Sequence, residues 1–144
     1  MMDTIIASKK RALLLIVIIF VIVTTIYVLY KPKINWDYSD TLVYVNDGQS
    51  SYTRKLSEEK RAEIIDLIGF EDKLFIKQLS ERRVLDGAVY SIPSDNNHTM
   101  FIWWDTKIVR IICIDRMPRR IMWRRLSDME FNRIRELINN SPVI

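Results

Sequence analysis

The sequence predicts an α+β chain: one N-terminal helix of transmembrane length, then a small domain with an antiparallel sheet of about six strands and two helices on one face. Three observations predict it. An uncharged apolar run, Ala12–Tyr30, follows Lys9, Lys10 and Arg11. Downstream, short β-rich segments are separated by turn signals in meander order. Two serine-initiated segments then carry acids in the first turn and Ile or Leu at helical spacing.

The apolar run contains no Gly and no Pro. At the helical rise it spans roughly 28 Å, against a hydrocarbon core of ~30 Å. A cleaved signal peptide would end in a small-residue site, whereas this run ends in Thr24, Thr25, Ile26, Tyr27, Val28, Leu29 and Tyr30. A soluble core helix would show a polar side, and Ile, Val and Leu here surround every face. Tyr27 and Tyr30 suit an interfacial aromatic belt. Three basic residues precede the span, and Lys31 and Lys33 follow it. Counting basic flanks puts the N-terminus in the cytoplasm and the C-terminal domain outside. The chain is thus expected to divide into a cytoplasmic tail (1–11), a transmembrane signal anchor (12–30), an interfacial stalk (31–40) and an extracytoplasmic α+β domain (41–144).

The part beyond the span is large enough for one core. The chain has three glycines and four prolines, which argues against disorder. The one cysteine, Cys113, excludes an internal disulfide and reads as a small buried residue in Ile111-Ile112-Cys113-Ile114. A disulfide-free domain outside a membrane fits a bacterial surface. Charge is uneven: residues 34–109 carry nine basic and 13 acidic groups, residues 110–144 eight and four.

In order, Thr41–Val45 and Ser50–Leu56 read as a hairpin around Asn46-Asp47-Gly48. Ser57 caps a helix with Glu58 and Glu59 in its first turn; Ile64, Ile65 and Ile68 share a face, and Gly69 ends it. Lys73–Leu79 is the next candidate strand. Val84–Ile92, Thr99–Trp104, Lys107–Asp115 and Arg119–Leu126 follow as a meander, joined through Pro93–His98, Asp105-Thr106 and Arg116-Met117-Pro118. Ser127 and Glu130 form a capping box for a last helix, with Leu126 and Phe131 as its staple and Phe131, Ile134, Leu137 and Ile138 as its buried stripe.

Residues 52–68 echo residues 122–138 at a constant offset, with identities at Arg54/Arg124, Leu56/Leu126, Ser57/Ser127, Ile64/Ile134, Leu67/Leu137 and Ile68/Ile138. A duplicated ββα unit explains this, and so does the ordinary grammar of helix starts.

No catalytic pattern assembles. His98 reads as a loop residue, and Asp95 with His98 makes two possible ligands, too few for a metal site. The charged pairs Glu58/Glu59 and Asp128/Glu130 read as helix-start carboxylates. Six arginines between Arg110 and Arg125 stand out: Arg110, Arg116, Arg119, Arg120, Arg124 and Arg125. Alternation puts Arg119, Ile121, Trp123 and Arg125 on one face of the last strand, and Arg120, Met122, Arg124 and Leu126 on the other. One reading is a charged edge strand that blunts unwanted pairing. The other is an anion- or partner-binding strip of Arg119, Arg120, Trp123, Arg124 and Arg125, since guanidinium presents bidentate donors to phosphate and carboxylate. Trp103 and Trp104 are adjacent, so one should fill the core and the other the second face.

In layout the chain resembles small single-pass proteins of Gram-positive bacteria, a resemblance of architecture alone. The expected role is a non-catalytic, membrane-anchored binding or regulatory module, without metal or other cofactor. Its partners would be the bilayer, a membrane or envelope protein, or an anionic polymer or lipid headgroup; nucleic acid would require the domain to face the cytoplasm. The alternative is a structural accessory subunit of a larger membrane or envelope complex.

Overall fold

A computed structural model describes residues 2–36, 42–78, 86–94, 98–113 and 121–144. The chain forms two compact units, Met1–Pro32 and Lys33–Ile144.

The first unit is one helix, α1 (Met2–Leu29). Its stretch Lys9–Tyr27 has a mean hydropathy of 2.2, and the side chains along it are exposed. Two threonines near its end are satisfied inside the helix: Thr25 Oγ1 donates to Val21 O at 2.8 Å, and Thr24 Oγ1 bonds Phe20 O likewise. Such back-bonding hides the hydroxyls where no water is available. The helix is long and apolar enough to cross a membrane.

The second unit contains β1 (Leu42–Asn46), β2 (Ser51–Lys55), α2 (Glu58–Ile68), β3 (Ile76–Gln78), β4 (Val89–Pro93), β5 (His98–Trp103), β6 (Ile108–Cys113), β7 (Ile121–Arg125) and α3 (Asp128–Asn139). Its core begins at Ile34, which is buried, with Trp36 packed against it, so residues read as stalk join the domain. All strand pairs are antiparallel, in the order β2-β1-β4-β5-β6-β7-β3.

The sheet therefore has seven strands where about six were expected. The strand expected within Lys73–Leu79 is the short β3, which pairs along β7 through Ile76↔Trp123 and Gln78↔Ile121. That pairing also makes β7 an inner strand, so edge protection does not explain its arginines. His98 likewise departs from expectation: it opens β5 opposite Cys113, and both are buried.

Strand alternation explains the core. Val43, Val45, Tyr90, Ile92, Met100, Ile102, Val109, Ile111 and Met122 point to the helix side and are at most 2% exposed. Ile64 and Ile68 of α2 and Phe131, Ile134, Leu137 and Ile138 of α3 close over them. Both helices start at an extended serine, and α3 has the complete capping box. Gly69 ends α2 at φ 60°, the left-handed cap that a residue without Cβ adopts without strain.

The internal echo coincides with a repeated structure. At the same offset, β2 falls on β7, and α2 falls on all but the last turn-end residue of α3. The register is consistent with an approximate two-fold axis between Ser91 of β4 and Phe101 of β5. Outward from it run Tyr44 and Thr53 on one side, Arg110 and Trp123 on the other. The segment after each helix crosses to the other half. After α2, β3 joins β7; after α3, Val143 bridges Arg54 on β2.

Candidate interaction surface

The arginines of the last hairpin separate into different environments. Arg116, Arg119 and Arg120 lie outside the described residues, as does Asp95. Arg125 is exposed at the end of β7. Arg124 points toward the helices, as its parity with Met122 requires, and its side chain is only 10% exposed.

Arg124 holds the end of α2. Its Nε donates to Ile68 O at 2.8 Å and its Nη2 to Leu67 O at 2.9 Å. These are orphan carbonyls of a helix C-terminus, where a cation also complements the dipole. The same guanidinium reaches both oxygens of Glu130 at 3.3 Å and lies 5.9 Å from the Phe75 ring centroid. Lys73 completes the cluster by bonding Glu130 and donating to Leu67 O at 3.2 Å.

Arg54, the counterpart of Arg124 in the echo, does the reciprocal task. Its Nη1 donates to Asn139 O at 2.8 Å and to Ser141 O, at the end of α3. Lys60 Nζ assists through Asn140 O at 2.7 Å. Each half's strand arginine thus caps the other half's helix.

Burial acts to raise the Glu130 carboxyl, but the Lys73 bond, the Ser127 N–H at 2.8 Å and Arg124 overcome it and lower it to about 2. A carboxyl depressed in the folded state stabilises above its unfolded value of about 4.5 and loses that contribution as pH falls toward 2. Acid titration followed by circular dichroism should show a loss of about 1–2 kcal/mol in that window, allowing for solvent screening. Glu130→Gln should flatten it. An unchanged acid limb in the variant would show that Glu130 is not responsible.

The other sheet face carries Tyr44, Phe101, Trp103, Arg110, Trp123 and Ile76. Phe101, Arg110, Trp123 and Ile76 form one cross-strand row. Arg110 is 6% exposed, lies 5.4 Å from the Trp103 ring centroid, and is held below its ordinary pKa by burial. The Phe101 and Trp103 rings are 5.6 Å apart. Trp123 is half-buried beside Arg110. Trp104 turns to the core and meets Tyr90 at 5.0 Å, so the adjacent tryptophans divide between the faces as expected.

Sequence reading placed Trp123 and Arg125 in the binding strip and left Arg110, though part of the arginine cluster, out of it. The signal was available: Arg110 alternates with Val109 and Ile111, which places it on the face opposite theirs. Among the described residues, no group of three or more His, Cys, Asp or Glu side chains is placed to hold a metal ion. No protein-family model, curated protein or solved structure matches this chain.

Proposed function

We propose that the chain is a single-pass, membrane-anchored and non-catalytic binding or regulatory module, its C-terminal domain outside the membrane and in contact with a partner protein or envelope polyanion. The observation that carries this reading is the coexistence of an exposed apolar helix of spanning length with a separate α+β unit that has its own core. An apolar helix of that length in water would expose a continuous hydrophobic surface, which the bilayer removes. Lys9, Lys10 and Arg11 before the span favour the cytoplasmic N-terminus. Arg125, with Arg119 and Arg120, would supply the anion contact; Arg124, already bound to Glu130 and α2, would position the strand.

A structural accessory subunit is the second reading, favoured by the exposed Ile76 of the short strand β3 and the exposed Leu74 just before it. Ionic strength separates the two, because salt weakens arginine–polyanion binding steeply and leaves an apolar edge contact intact.

Topology is the first test. Gln49 is exposed in the β1–β2 turn and Cys113 is buried, so Gln49→Cys in a Cys113→Ser background gives one reporter thiol. Intact cells should be labelled by a membrane-impermeant maleimide. Labelling that appears only after lysis would put the domain in the cytoplasm and overturn the extracytoplasmic reading.

A further inference from the structure

On the helix-free face, the first half of the sheet is indented. A groove of about 190 Å³ is lined by Tyr44, Asn46, Ser51, Thr53, Val89 and Ser91. The approximate two-fold relates Tyr44 to Arg110, Asn46 to Ile112, Ser51 to Ile121, Thr53 to Trp123 and Ser91 to Phe101. At the matching positions of the second half, Ile121 is 1% and Arg110 6% exposed. The first half carries Ser51, Thr53 and Ser91 where the second carries Ile121, Trp123 and Phe101.

The chemistry of the wall selects the ligand. No carboxylate, ammonium or guanidinium lines it, so a charged group entering it would find no counter-charge in the wall. Tyr44 is 50% exposed in the middle of its row, between Thr53 and Ser91, and offers a flat ring. Among the described residues no hydrogen bond engages the hydroxyls of Tyr44, Ser51, Thr53 or Ser91, each of which can both donate and accept. Asn46 uses its Oδ1 for Gly48 N–H at 2.9 Å and keeps its amide donors. An aromatic plate rimmed by neutral hydroxyls matches a molecule with an apolar ring face and a hydroxyl edge.

The geometry points to a subsite for one pyranose ring of a neutral glycan, stacked on Tyr44 and hydrogen-bonded by Ser51, Thr53, Ser91 and Asn46. The groove is smaller than the usual ~300 Å³ lower bound of a complete ligand pocket, so it holds one ring of a longer molecule and binds weakly. The site rests on the extracytoplasmic reading only for where the sugar is met; binding in vitro is independent of topology.

Full-length protein in dodecylphosphocholine, a detergent without a sugar headgroup, would be probed by saturation-transfer NMR with N,N′-diacetylchitobiose and with maltotriose. At least one sugar should show transfer to its ring protons with a millimolar Kd, unchanged at high salt. Tyr44→Ala should weaken it at least tenfold, Tyr44→Trp should retain it, and Thr53→Trp should abolish it by filling the groove, with circular dichroism unchanged in all three. No transfer from either sugar, equal transfer in Tyr44→Ala, or a tenfold loss in salt would each overturn the subsite. None of these results bears on the labelling experiment, so the two readings fail separately.

Discussion

Replacing Arg124 with Leu should destabilise the domain by about 3 kcal/mol, the largest effect expected of the strand arginines compared below. The substitution removes donors from Leu67 O and Ile68 O and leaves the 14%-exposed Glu130 carboxylate with Lys73 and the Ser127 N–H. Leucine replaces the apolar stem of the arginine, so the loss reports lost polar contacts rather than a cavity. Arg124→Lys should recover little, because one ammonium cannot reach two carbonyls and two carboxylate oxygens together. Arg54→Leu should cost less, about 1–2 kcal/mol, since Lys60 continues to bond Asn140 O and Ser141 Oγ. Arg125→Leu, at an exposed position, should stay within about 0.5 kcal/mol. Urea unfolding measures all four, with the m-value unchanged. If Arg124→Leu matched Arg125→Leu, the guanidinium would not be holding the end of α2.

Removing residues 1–32 should move the protein completely from the membrane fraction to the soluble one. Fourteen Leu, Ile, Val and Phe residues lie between Ala12 and Tyr30. At about −0.3 to −0.6 kcal/mol each, they favour insertion by on the order of 6 kcal/mol. The remainder keeps the compact unit from Lys33 onward, including Ile34 and Trp36. It should give a single cooperative melt at neutral pH. Carbonate extraction of full-length and truncated protein provides the readout. Release of the full chain by carbonate would exclude a spanning helix, and aggregation of the fragment would show that the domain depends on its anchor.

Local signals carried most of the fold. Ser57, Ser127, Glu130 and Gly69 mark helix ends through bonds to residues three or four positions away, and these hold in the structure. Alternation assigned Arg124 and Trp123 to opposite faces of β7. Alternation does not reveal what lies over a face: the carbonyls that receive Arg124 are 56 and 57 residues away. The neighbour of β7 was hidden for the same reason, because a strand as short as β3 has too little pattern to declare its partner. His98 was misplaced because its polar neighbours read as loop, while its backbone is already paired with β6. The internal repeat was visible, but reciprocal capping by Arg54 and Arg124 distinguishes a repeated unit from helix-start grammar.

The crossing of each post-helix segment to the other half sets an order of events during synthesis. β2 is made early, yet its outer edge stays unpaired until Pro142, Val143 and Ile144 arrive to bond Thr53 and Lys55. The end of α2 likewise waits for Arg124. Neither half can close alone, so the N-terminal helix is synthesised well before the domain completes its sheet. The interval leaves an open strand edge on an incomplete domain, the stage of its life most exposed to chaperones, proteases and mispairing with a neighbour.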